Sequence, residues 1–150
     1  MKGKGSAGYL NLFSSFIHNF FDGLGIGIAF ATKERGTIVP IIIAIFAHEI
    51  PREMGDVGIL MKNGFSSIQT VLCNGFINFM SLIGVFTGLA IGSINEEAQN
   101  YVLVFVAGNF IYIGADIWRH LLANKKMILN ILEVLMFSLG VGAMFLVLLA

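Results

Sequence analysis

Ile38 to Met61 reads IVPIIIAIFAHEIPREMGDVGILM. It opens as an uninterrupted apolar run and then admits His48, Glu49, Arg52, Glu53 and Asp56 within little more than two helical turns. About 20 predominantly apolar residues are needed to cross a bilayer as a helix, and this stretch has that length while carrying ionisable groups where lipid penalises them. The preceding stretch, Tyr9–Ala31, repeats the pattern with His18-Asn19-Phe20-Phe21-Asp22-Gly23 in its middle. Three more apolar stretches follow, Phe65–Ile91, Val102–Leu122 and Ile128–Leu149, separated by short polar breaks. The pattern predicts an all-α fold: a polytopic membrane helix bundle of about five transmembrane helices, forming a single transmembrane domain over residues 1–150. The short connections favour antiparallel neighbours.

Composition agrees. Of the residues, 57% are hydrophobic and 12% charged, against roughly 45–50% and 25% in soluble domains, so lipid is the expected solvent. Basic and acidic residues balance at nine each, which gives no reason to expect a nucleic-acid partner. Cys73 is the one cysteine; an intrachain disulfide and a Cys-based zinc or redox site are excluded, so a metal site must use His, carboxylate and amide groups.

Lys2 and Lys4 before an apolar run, with Ala29-Phe30-Ala31 after it, imitate a secretory signal, but His18, Asn19 and Asp22 interrupt its apolar core. Basic residues in short loops tend to stay cytoplasmic. Lys2, Lys4, Lys62, Lys125 and Lys126, with Arg119 nearby, fall on one side; Lys33 and Arg35 share the other with Glu34, Glu96 and Glu97. The expected N-terminus is therefore cytoplasmic and the C-terminus opposite.

Ionisable side chains inside a span are functional candidates by default because each is costly in lipid. At about 100° per residue, His18, Asn19 and Asp22 share a sector roughly 100° wide, and His48, Glu49, Arg52, Glu53 and Asp56 one roughly 140° wide. Pro51 lacks an N–H, so the carbonyl of Ala47 loses its helical donor and a kink is expected beside His48. Imidazole and carboxylate together suit zinc, and also iron or manganese. The competing account is an internal ion-pair network that merely makes buried charges tolerable. An intramembrane metalloprotease is a weaker rival: His48-Glu49-Ile50-Pro51-Arg52 starts like His-Glu-x-x-His, but Arg52 stands where the second ligand belongs and cannot coordinate a cation. No enzyme is expected.

HNFFDG followed by HEIPREMGD on the next span resembles the fourth and fifth helices of the ZIP (zinc- and iron-regulated-transporter-like) family, and GILMKNGFSSIQTVLCNGF and FVAGNFIYIGAD are also similar to one of its branches. The resemblance covers nearly the whole chain. It implies transport of a divalent cation, Zn2+ or alternatively Fe2+ or Mn2+, with His18, Asn19, Asp22, His48 and Glu49 as metal ligands and Arg52, Glu53, Asp56 and Asn74 as site modulators. Three positions depart from the family pattern. Arg52 replaces a His, Gln or Glu that lies at or bridges a binuclear centre, Ser15 stands where an acid is common, and Trp118-Arg119-His120 follows Asp116 in place of a Pro-Glu pattern.

The resemblance reaches only the last five of eight spans, which implies a homodimer or the missing N-terminal helices as partner. The alternative function is a transport-inactive relative in which Arg52 serves as a tethered cation. Arg52 either fills the site or pairs outward with Glu53 or Asp56; its place on the wheel between His48 and Asp56 favours the first. Gly84, Gly88 and Gly92 form a small-residue stripe suited to a sliding or dimer surface, or to ordinary helix packing, which is preferred. Asp116 reads as helix–helix glue or a pathway residue, Glu133 as a near-interface residue, and His120 as an interfacial side chain.

Overall fold

The computed structural model describes residues 5–122, 130–132, 134–136, 138, 139 and 142. All four elements within residues 5–122 are helices: α1 (Ser6–Thr32), α2 (Arg35–Lys62), α3 (Ser67–Gly92) and α4 (Glu96–Leu122). Helical residues recur between Asn130 and Gly142, and no strand occurs among the described residues. Lys2, Lys4, Lys125, Lys126 and Glu133 lie outside the described residues, as does most of Ile128–Leu149; so do the side chains of Asp116, Trp118, Arg119 and His120. The chain divides into two compact units, residues 1–103 and 104–150.

Local chemistry sets the helix ends. Lys33 closes α1 in the left-handed conformation, φ 60°, with its N–H donating to the Phe30 carbonyl at 3.2 Å. After α2, Gly64 takes φ 86°, a region open to glycine without a Cβ penalty, and the chain reverses. Ser66 opens α3 with a reciprocal capping box: its Oγ accepts from the Gln69 N–H, and its own N–H donates to Gln69 Oε1. Asn95 does half of that for α4, its Oδ1 accepting the Ala98 N–H at 2.7 Å. Glu96 and Glu97 then sit in the first turn, where negative charge suits the helix dipole. This is why α4 begins well before the apolar stretch at Val102. Pro40 and Pro51 both lie within α2, which continues through them.

Glycine binds α1 to α3. A Cβ on Gly23 would collide with the Ser81 carbonyl and one on Gly27 with the backbone of Val85 and Leu89; on α3, Gly84 and Gly88 lie equally tight against the backbone of α1 from Phe20 to Ile28. The small-residue stripe is therefore a helix-packing surface within this chain, with backbones in direct contact.

Polar groups share the interior with apolar ones such as Leu24, Ile28, Leu60 and Ile77. Ser15, Asn19, Asp22, Asp56, Thr70 and Asn74 are buried, while Phe13, Phe46, Ile50, Met54, Phe76 and Phe86 are exposed. Large apolar side chains facing outward around an interior that holds several polar groups suit a lipid environment. Among the described residues, α3 is the one helix long and apolar enough to cross a membrane by length and composition. In α1 and α2 the apolar run is broken by the polar groups that line the interior.

Candidate metal centre

On α1, Asn11, Ser15, His18, Asn19 and Asp22 recur at three- and four-residue intervals and so share one face. On α2, His48, Glu49, Arg52 and Asp56 do the same. Asp56 meets Asn11 and Ser15, whereas His48 meets His18 and Asp22; numbers rise on one helix as they fall on the other, so the helices run antiparallel with their polar faces together. Behind Asp22, Gly23 lets α3 approach closely, which holds this face of α1 in place.

The geometry is tightest at three atoms. Nε2 of His18 and Nε2 of His48 are 3.2 Å apart, His48 Nε2 is 3.1 Å from Asp22 Oδ2, and His18 Nε2 is 3.4 Å from the same oxygen. His48 Nδ1 donates to the Ala44 carbonyl at 2.8 Å. That bond places the proton of a neutral imidazole on Nδ1 and leaves the Nε2 lone pair facing Asp22 and His18, the usual orientation of a metal-binding histidine. Lone pairs directed at one point repel unless a cation or proton lies between them. Asp22 is 2% exposed, and its Oδ1 is buried without a hydrogen-bond partner, so the carboxylate retains unused acceptor capacity. Zinc–ligand bonds of about 2.0–2.1 Å give a tetrahedron edges of about 3.3–3.4 Å, close to the three separations here.

Glu49 completes a group whose potential ligand atoms, from His18, Asp22, His48 and Glu49, all lie within 4.8 Å of one another. Its carboxylate is engaged by Arg52: Nε donates to Oε2 at 2.8 Å and Nη2 to Oε1 at 2.6 Å. Arg52 Nη1 donates to Asp56 Oδ2 at 2.8 Å. Arg52 stays in the polar sector and combines the two expected arrangements, gripping Glu49 of the cluster and reaching Asp56 outside it. Proximity on the wheel does not specify a partner, and the fork geometry of a guanidinium selects a carboxylate that can be gripped at both oxygens.

The remaining residues fall around this core. Asn19 is buried and its Nδ2 donates to the Ser15 carbonyl at 3.1 Å, which keeps it beside the cluster. Asn19, Glu49 and Glu53 line a cleft of about 490 Å³ together with Asn78 and Ser81. Asn74 is buried on α3. A larger groove of about 520 Å³, lined by Leu12, Phe13, Phe16, Leu72, Cys73, Phe76 and Ile77, is almost wholly apolar and offers little to an ion. Sequence reasoning missed Asn11 altogether and treated Ser15 only as a departure. Asn11 Nδ2 donates to Asp56 Oδ1 at 2.9 Å and Ser15 Oγ to Oδ2 at 2.7 Å; the signal was their four-residue spacing on the face that carries His18 and Asp22.

The family model described as ZIP zinc transporter matches residues 1–148. Over 150 residues the chain is 34% identical to zinc transporter zipt-7.2 of Caenorhabditis elegans, covering 93% of this chain and 31% of that protein. It is 38% identical over 133 residues to zinc transporter foi of Drosophila melanogaster, covering 87% and 19%. With human zinc transporter ZIP6 the identity is 33% over 112 residues, covering 75% and 15%. The chain thus spans less than a third of the length of these curated relatives. No solved structure matches it. With the two histidine motifs meeting across antiparallel helices and the family model extending over nearly every residue, the chain belongs to the ZIP zinc transporter family.

Proposed function

We propose that this chain forms the metal-binding part of a membrane transporter that moves a divalent cation, zinc foremost, and that His18, Asp22 and His48 bind the ion with Glu49 and Asn19 as further ligands. The observation that carries the reading is the triangle of Nε2, Nε2 and Oδ2 atoms at 3.1–3.4 Å. Two imidazole nitrogens and one carboxylate at tetrahedral-edge spacing suit Zn2+, and the same donor set also serves Fe2+. Kinship with proteins named as zinc transporters points to zinc.

The bundle would lie in the bilayer as several spans with its apolar exterior in lipid, the N-terminus cytoplasmic and the polar faces of α1 and α2 turned inward. Transport by the assembled protein requires further helices or a second copy as partner. Ionisable residues converging on adjacent helices at mid-span are what an ion pathway needs and what a purely structural bundle avoids. The inert alternative, with Arg52 as a substitute cation among the ligands, is less favoured because the guanidinium is directed to Glu49 and Asp56 while His18, His48 and Asp22 converge on one another.

The test is a zinc titration of the purified chain in detergent beside a His18→Ala/His48→Ala double variant. Losing two direct ligands is expected to weaken binding by more than about a hundredfold, beyond the 10–100-fold typical of outer-shell partners. Equal affinity in the two proteins would remove the site.

A further inference from the structure

We propose that Arg52 is a specificity-determining latch on the metal centre: it grips Glu49 at both oxygens, so an entering cation must compete with the guanidinium for this ligand. The inference rests on the metal-centre reading above and deepens it. Both Glu49 oxygens accept from Arg52, at 2.8 and 2.6 Å, so one lone pair on each is already engaged and the carboxylate meets an ion as the partner of a fixed positive charge. Arg52 is itself tethered. Its remaining bond goes to Asp56, which α1 fixes through Asn11 and Ser15.

The consequence is a centre with a standing counter-ion. Without metal, the guanidinium compensates half-buried Glu49 and buried Asp56, so neither carboxylate is left unpaired. With metal, Glu49 is contested by two cations, and whatever the fork loses is subtracted from the binding energy. Arg52 retains Asp56 and continues to oppose a second positive ion nearby. A site that returns part of its binding energy releases its ion more readily, and it favours ions able to outcompete a guanidinium for a carboxylate.

A double-substitution cycle tests this by zinc titration of the whole chain in one detergent. Arg52→Gln is expected to tighten binding about tenfold, and Glu49→Gln to abolish that gain while weakening the parent only about threefold, the non-additivity of residues that share a partner. Unchanged or weaker binding in Arg52→Gln overturns the latch, and so does a gain that survives Glu49→Gln. If Arg52→Gln melts below the titration temperature, Arg52→Lys carries the same test. It keeps the charge but loses the fork, and is expected to bind about threefold tighter; no tightening overturns the proposal. If the parent binds no better than His18→Ala/His48→Ala, the metal-centre reading falls and takes the latch with it.

Discussion

Asp56 accepts hydrogen bonds from Asn11, Ser15 and Arg52, so one buried carboxylate joins two helices. A hydrogen bond to a charged group contributes about 1.5–3 kcal/mol, and removing one member of a buried charged pair costs about 3–5 kcal/mol because the other charge is left uncompensated. Ser15→Ala is therefore expected to destabilise the chain by about 2 kcal/mol and Asp56→Ala by about 3 kcal/mol or more, read from thermal melts in a common detergent. A Ser15→Ala melt that coincides with the parent's would contradict this account of Asp56. At this scale the sequence was legible where spacing alone decides the matter. His18 with Asp22, and His48 with Glu49, follow from helical periodicity and the cost of charge in lipid. The partner of Arg52 was not legible, since Glu49, Glu53 and Asp56 are all within reach of it along α2. The choice depends on side-chain geometry and on Ser15 and Asn11, which approach from another helix.

Among the elements, the α1–α3 contact is made by backbone and the α1–α2 contact at the cluster by side chains. The glycine stripe of α3 could be read from its four-residue repeat, but its partner could not, because Gly23 and Gly27 are matched to it only once the helices dock. A Cβ at Gly23 meets a carbonyl that cannot retreat without moving α3, whereas a Cβ at Gly75 meets nothing within 4 Å. Gly23→Ala is expected to destabilise by about 2 kcal/mol or more, the cost of overpacking, and Gly75→Ala to stabilise by up to about 1 kcal/mol through helix propensity. Melting curves of the two variants that shift in the same direction would show that α1 and α3 do not pack as described. The start of α4 lay outside an apolar-run reading for a related reason: its first turn is set by the Asn95 cap and Glu96, not by hydrophobicity.

For the molecule as a whole, composition was enough to anticipate the apolar exterior and polar interior, since so few charged residues in a chain of 150 can be tolerated inside lipid only by gathering together. Composition says nothing about the charge balance of that gathering. The ion-paired groups alone, Asp22, Glu49 and Asp56 against Arg52 with both histidines neutral, sum to two negative charges, and one divalent cation brings that sum to zero. Moving an elementary charge through a membrane potential involves about 2.3 kcal/mol per 100 mV, so each charge left unbalanced on a moving centre, that of Glu53 in the same cleft included, adds to its voltage dependence. Isotopic zinc exchange across proteoliposomes by the chain assembled with the partner that transport requires is expected to respond less to an imposed potential than the same exchange with Arg52→Gln, which carries one more negative charge; equal sensitivity in both proteins would rule this out. The arginine that holds Glu49 would thus also set the electrical cost of carrying the ion.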